Sequence, residues 1–86
     1  MTLERDVLLN YLGNKINMAP NQIEAEMALI SSGLIDSFTM VELVLFIEKQ
    51  CGIKIKPAEV NLDNLDSVSR ILTFTEIRAN GKNGSH

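Results

Sequence analysis

Among the residues of the sequence, Ser37 has the neighbours that best suit a chemical role. It follows Asp36 at the point where a long irregular segment gives way to a run with helical spacing. A serine in the first turn of a helix is accessible, and a phosphate ester on it meets unpaired backbone N–H groups and the positive end of the helix dipole. No histidine or lysine lies in the local sequence to activate Ser37 as a nucleophile. Ser37 is therefore suited to being modified rather than to catalysis, and the alternative is a plain helix cap.

The chain has too few cysteine and histidine residues for most kinds of catalytic or metal site. Cys51 is the single cysteine and His86 the single histidine, so no intrachain disulfide, cysteine-rich zinc site or multi-histidine site can form. Cys51 lies at the predicted C-terminus of a helix, where the dipole disfavours a thiolate. We interpret it as a small buried hydrophobic residue. The sequence therefore predicts no catalytic residue and no metal site.

The composition is that of one small domain. The chain has 86 residues, of which 45% are hydrophobic and 22% charged, and its net charge is -3. A nucleic-acid-binding domain normally has a basic surplus, which this chain lacks. The longest apolar run, residues 43–47, is far shorter than the roughly 20 residues of a membrane span, and the charged N-terminus lacks the apolar stretch of a secretory signal. We expect a cytoplasmic monomer with no nucleic-acid partner and no membrane span.

Hydrophobic spacing predicts an all-α bundle of three main helices plus one short helix. The main helices cover about residues 2–16, 36–50 and 67–78, and a short helical turn covers residues 61–65. Thr2 is the expected N-cap of the first helix, and Asp36 and Gly52 are the expected caps of the second. Residues 17–36 form a long first loop, which is unusual in a compact domain and often functional.

The second predicted helix is apolar on nearly every side. Such a helix is either buried or docks a partner, and a chain of this length cannot bury it completely. Part of this helix is therefore expected to form an interface. For Met40, Val44 and Leu45, a place in the core and a place in the interface are equally open.

The stretch Asp36-Ser37-Phe38, followed by Val41-Glu42-Leu43, resembles the signature of the carrier-protein family. This family comprises acyl carrier proteins, peptidyl carrier domains and D-alanyl carrier proteins. The chain length, the helix spacing, the long first loop and the proline-containing second loop extend the resemblance over about residues 3–78. It implies an acyl-carrier-protein-like bundle, with a carrier domain over residues 1–78. Residues 79–86 are then a polar tail that we expect to be disordered and partly derived from cloning.

The resemblance also implies a cofactor and partners. Ser37 would receive 4'-phosphopantetheine from coenzyme A through a phosphopantetheinyl transferase, which Asp36 helps to engage together with its magnesium. The chain would catalyse nothing itself. It would carry acyl cargo as a thioester from a cargo-loading ligase or acyltransferase to a downstream synthase. The second helix would be the docking surface, and the residues implied there are Phe38, Met40, Val41, Glu42, Val44, Leu45 and Glu48.

Three functions stay open at this point. The spelling of residues 33–38 departs from that of housekeeping fatty-acid carriers, because Gly33 lies four residues before Ser37 rather than three. It looks more like the sequence of D-alanyl carriers and of stand-alone carriers of specialised pathways, which argues against a housekeeping fatty-acid role. The first hypothesis is an acyl carrier of a specialised fatty-acid or polyketide-type pathway. The alternatives are an aminoacyl carrier of the D-alanyl or peptidyl type and, more remotely, an unmodified helical interaction module. Because Glu42 and Glu48 are the only acidic residues that follow the Asp36 cap within the second helix, docking is expected to be apolar and weakly salt-dependent.

Two further residues carry sequence hypotheses. Asp66-Ser67 echoes the Asp36-Ser37 pair, but it lacks the Val-Glu-Leu continuation and follows a short turn. We interpret Ser67 as the cap of the last helix. Phe46, if its ring points inward, would crowd any internal cavity that shelters a long acyl chain.

Overall fold

The computed structural model of the chain describes residues 3–84, with the side-chain environment described through residue 79. Its helices are α1 (Arg5–Ile16), α2 (Ser37–Cys51), α3 (Leu62–Leu65) and α4 (Val68–Gly84). Single turns of 3-10 helix, Pro20–Gln22 and Pro57–Glu59, lie in the first and second loops. No strand occurs between residues 3 and 84. The all-α bundle of three main helices and one short helix is confirmed.

Two helix ends differ from the predicted ones. α1 begins at Arg5 with Glu4 in the N-cap position, whereas the predicted cap, Thr2, lies outside the described residues. The predicted end of the last helix at Arg78 is wrong, because α4 continues to Gly84. No proline interrupts that segment, so extending an existing helix requires no new nucleation. Residues 85 and 86 of the predicted tail lie outside the described residues, and the domain boundary at residue 78 stays a prediction.

The core lies where α1, α2 and α4 meet and extends under the first loop. Leu29 and Ile35 of that loop are fully buried, and each such side chain contributes about 1.5–3 kcal/mol to folding. This burial explains why a loop of this length is ordered. The fully buried helix residues are Leu8, Leu12, Leu43, Ile47, Leu65, Val68 and Ile71.

No helix within residues 3–84 has the length and apolar character needed to cross a bilayer.

Candidate functional site

Ser37 is the first residue of α2 and is exposed to solvent. Asp36 precedes it as the N-cap, and its Oδ1 accepts a hydrogen bond from Thr39 N–H at 2.8 Å. This bond satisfies one of the donors that every helix start leaves free. The predicted capping role of Asp36 is confirmed. Because the cap carboxylate is turned to the backbone of Thr39, the neighbouring serine is left accessible.

The helix start is electrostatically prepared for a phosphate ester. Hydrogen bonds from the N–H and hydroxyl of Thr39 hold the pKa of Asp36 below its ordinary value of 3.8, so its carboxylate is ionised at neutral pH. The positive end of the α2 dipole lies at the same place. An exposed serine hydroxyl beside this dipole fits a covalently attached phosphate group.

Three apolar side chains form an exposed stripe on α2 that begins directly after Ser37. Phe38 is 73% exposed, Val41 54% and Leu45 60%. Their spacing of three and four residues places them on one face of the helix. We call these three residues the α2 stripe. Exposed apolar side chains on one helix face make this stripe a candidate interaction surface.

The other faces of α2 belong to the bundle. Leu43, Ile47 and Cys51 are buried, whereas Met40 and Val44 are half-buried and pack against the core. A place in the core is therefore excluded for Leu45, whereas Met40 and Val44 lie at the margin of the core. The part that any of them takes in docking stays a prediction.

Two carboxylates flank the stripe, and both are engaged within the chain. Glu42 Oε1 accepts a hydrogen bond from Lys15 Nζ of α1 at 3.0 Å. Glu48 Oε2 accepts one from Ile55 N–H of the second loop at 2.7 Å. Glu42 therefore ties α2 to α1, and Glu48 ties α2 to the loop that follows it. Their charge is partly satisfied before any partner arrives.

Phe46 packs at the junction of α1 and α2. Its ring stacks on Tyr11 with the ring centroids 3.9 Å apart and an interplanar angle of 11°. Both rings are half-buried, and Lys15 Nζ lies 5.6 Å from the centroid of Tyr11. The ring of Phe46 therefore joins two helices rather than standing alone in the bundle interior. The crowding of a cargo cavity by Phe46 stays a prediction of the sequence.

The echo pair has a different environment. Ser67 is only 3% exposed, and its Oγ accepts a hydrogen bond from Arg70 N–H at 3.1 Å. The interpretation of Ser67 as the cap of the last helix is confirmed. Cys51 is also buried, and burial raises the pKa of its thiol. Its interpretation as a small buried hydrophobic residue holds as well.

Asp66 is the residue that sequence reasoning missed. Its Oδ1 accepts hydrogen bonds from Ile30 N–H at 2.7 Å and Ser31 N–H at 2.9 Å, and its Oδ2 accepts one from the Ser31 hydroxyl at 2.7 Å. Burial alone would raise the pKa of Asp66, but the bonds from Ser31, Ile30 and Leu29 outweigh it and lower that pKa below 3.8. The partners lie 35 and 36 residues away in sequence. No local pattern signals contacts of that range.

The chain is similar to known proteins in its fold and in its family pattern. No curated protein sequence matches the chain significantly. Among solved structures, the chain is similar to one described as "Crystal structure of FAD-dependent dehydrogenase", with a TM-score of 0.67 and 24% identity over 78% of this chain and 96% of that one. This likeness shows the fold alone. The family description "Phosphopantetheine attachment site" matches residues 6–74. The chain thus belongs to the phosphopantetheine attachment site family, whose domains are non-catalytic carriers with a covalently attached 4'-phosphopantetheine.

Proposed function

We propose that the chain is a carrier protein whose phosphopantetheine arm is attached to Ser37. One observation carries this assignment: Ser37 is the exposed first residue of α2, whereas Ser67 of the echo pair is buried. When attached, the arm supplies a terminal thiol that holds cargo as a thioester. A flexible arm on a small domain raises the effective concentration of that cargo at several active sites in turn.

The residues around Ser37 prepare its modification. The Asp36 cap fixes the backbone of the first turn and so determines the place of the serine. Its ionised carboxylate is exposed beside the hydroxyl, where the transferase and its magnesium would meet it. The α2 dipole then stabilises the new phosphodiester.

The α2 stripe is the proposed docking surface for the transferase, the loading ligase or acyltransferase and the downstream synthase. Phe38, Val41 and Leu45 supply the apolar centre of the contact. Met40 and Val44 would add their half-exposed edges, and Glu42 and Glu48 would form the rim. Because both rim carboxylates have partners within the chain, docking should depend mainly on apolar burial and only weakly on salt.

For the cargo, we favour an acyl group of a specialised fatty-acid or polyketide-type pathway. The apolar stripe supports this choice, since it suits apolar docking in such a pathway, whereas the sequence of residues 33–38 argues only against a housekeeping fatty-acid carrier. An aminoacyl cargo is the alternative, because D-alanyl carriers share that spelling. Loading of the pantetheinylated chain by an acyl-transferring or an amino-acid-activating enzyme separates the two. A cytoplasmic monomer remains the prediction of the sequence.

The test is intact mass before and after incubation with coenzyme A and a broad-specificity transferase. The parent chain and Ser67→Ala should each gain one phosphopantetheine, and Ser37→Ala should gain none. Ser67→Ala is the matched control, since it removes the serine of the echo pair. No gain in the parent would favour the unmodified interaction module. A gain that survives in Ser37→Ala would show that the attachment site is wrong.

A further inference from the structure

A closed turn of the first loop leads directly into Asp36 and Ser37. We call residues 29–35 the lead-in turn. Ile35 N–H donates to the carbonyl of Leu29 at 2.8 Å and closes the turn, and Gly33 N–H donates to the carbonyl of Ile30 at 3.0 Å inside it. Gly33 has a φ of +88°, a left-handed conformation that favours glycine. Since Asp36 follows the turn without a spacer, the conformation of the turn decides where the helix start lies.

One residue outside the loop holds this turn. Besides its three side-chain bonds to Ile30 and Ser31, Asp66 accepts a hydrogen bond on its own carbonyl from Leu29 N–H at 2.7 Å. Three consecutive residues of the lead-in turn are thus bound to a single residue. Bonds to an ionised carboxylate are among the stronger hydrogen bonds in proteins.

Asp66 is itself firmly placed. It forms the C-cap of α3, where its N–H donates to the carbonyl of Leu62 at 3.0 Å. On its other side, the buried Ser67 caps α4. An anchor fixed between two helices can impose a position on a loop, whereas a mobile one cannot. Through this carboxylate, the position of the α3–α4 junction determines the position of the start of α2.

We propose that Asp66 is a positioning residue for the modification of Ser37, because its carboxylate holds the lead-in turn that presents the Asp36-Ser37 helix start. The proposal rests on the proposed function, with Ser37 as the attachment site. Without the carboxylate, the lead-in turn samples other arrangements, and the transferase must select the productive one. The apparent affinity of an enzyme for a protein falls in proportion to the population of its competent state. The loss therefore appears in KM and leaves kcat nearly unchanged.

The test uses initial rates of phosphopantetheine addition to the full chain, measured by intact mass at varied carrier concentration. Asp66→Ala should raise KM by about tenfold, with kcat within about twofold of the parent value. Asp66→Asn should rescue most of the effect, because its carbonyl oxygen accepts both N–H bonds and its amide can donate to the Ser31 hydroxyl oxygen. Asp63→Ala is the matched control, since it removes an equal charge close by from a side chain that is 97% exposed.

A second readout separates positioning from general destabilisation. In Asp66→Ala, amide hydrogen exchange should speed up at Gly33 and Ile35 while the amides of α1 keep their protection. Ser31→Ala removes only the hydroxyl bond and carries the same test if Asp66→Ala fails to fold. It should raise KM by about two- to threefold.

Several results would overturn the proposal. An unchanged KM in both Asp66→Ala and Ser31→Ala would show that the turn does not govern modification. Asp66→Asn as impaired as Asp66→Ala would point to direct recognition of the charge by the transferase. Failure of the proposed function looks different, since the parent chain would then gain no arm or Ser37→Ala would still gain one.

Discussion

The two Asp-Ser pairs of the chain have the same sequence, but their residues have opposite roles. At the start of α2, Asp36 is the cap and Ser37 is the exposed first helical residue. At the start of α4, Ser67 is the buried cap, and Asp66 turns back to the first loop. α2 begins at the serine of its pair, whereas α4 begins one residue after the serine of its pair. That single-residue shift decides which side chain binds the backbone and which is left for another purpose.

The comparison teaches that cap register, rather than the dipeptide itself, determines whether the serine hydroxyl binds the helix backbone or is exposed to solvent. The hydroxyl oxygen of a capping serine accepts a hydrogen bond from a backbone N–H of the helix and is held close to the backbone. A serine one position further along is free of that bond. Both pairs nonetheless serve the same site in our account, because Asp66 holds the loop that presents Ser37.

The largest expected effect is a reciprocal one between the two serines. Ser37→Ala should abolish phosphopantetheine addition and change the free energy of unfolding by no more than about 0.5 kcal/mol, since it alters an exposed residue. Ser67→Ala should keep full addition and lose about 1 kcal/mol, because it removes a cap. Urea denaturation and intact mass measure the two quantities. Equal stability losses in both variants would contradict the assignment of cap and site.

Substitutions of Asp36 should give the next largest effect, and they separate its role as a helix cap from the role of its charge. Asparagine caps a helix as well as aspartate does, so Asp36→Asn should fold with parental stability. It should nonetheless slow phosphopantetheine addition by about tenfold, because a charge-assisted contact with the transferase is lost. Asp36→Ala should lose both properties. A parental rate for Asp36→Asn would show that only the cap matters.

A smaller effect is expected from the α2 stripe. Leu45→Ala should raise the KM for a partner enzyme by about fivefold, as expected for one apolar contact within an interface. Ile77→Ala is the matched control, because Ile77 on α4 is 63% exposed and Leu45 60%. Steady-state kinetics at low and high salt measure both variants. Equal KM values for the two, or a strong salt dependence in the parent, would contradict apolar docking on the stripe.

The smallest effect is a response of the first loop to acid. Because the pKa of Asp66 is lowered by folding, its stabilising contribution is complete above 3.8, its ordinary value, and is lost as the pH falls through the lower pKa of the folded state. The amide resonances of Ile30 and Ser31 should therefore titrate together, with a midpoint below 3.8. An NMR titration from about pH 5 to about pH 2 measures this midpoint. A midpoint above 3.8 would contradict the role of these bonds.

The sequence was sufficient for the features that depend on local pattern. Hydrophobic spacing located the helices, and the caps Asp36 and Gly52 marked both ends of α2. Ser37 is proposed as the attachment site because its own dipeptide and the residues that follow it resemble the family's pattern. Each of these signals lies within a few residues of the feature that it predicts.

The features that sequence reasoning missed depend on contacts between distant segments. Glu48 accepts a hydrogen bond from Ile55, and Glu42 accepts one from Lys15. These bonds determine how far the two carboxylates of α2 are satisfied within the chain, and neither follows from helical periodicity. Asp66 reaches residues 35 and 36 positions earlier in the chain. The end of α4 was missed for a different reason, since the polar and glycine-rich composition of residues 79–84 predicted a tail, whereas extending an existing helix requires no new nucleation.

The most direct test of the central claim is to locate the arm in the unmutated chain. Trypsin cuts after Lys49 and Lys54, so Ser37 and Ser67 fall in separate peptides, residues 16–49 and 55–70. After incubation with coenzyme A and a broad-specificity transferase, fragment masses should place one phosphopantetheine on Ser37. An arm on the peptide of residues 55–70, or on Ser31 or Ser32 within the first peptide, would contradict the claim that cap register selects the modified serine.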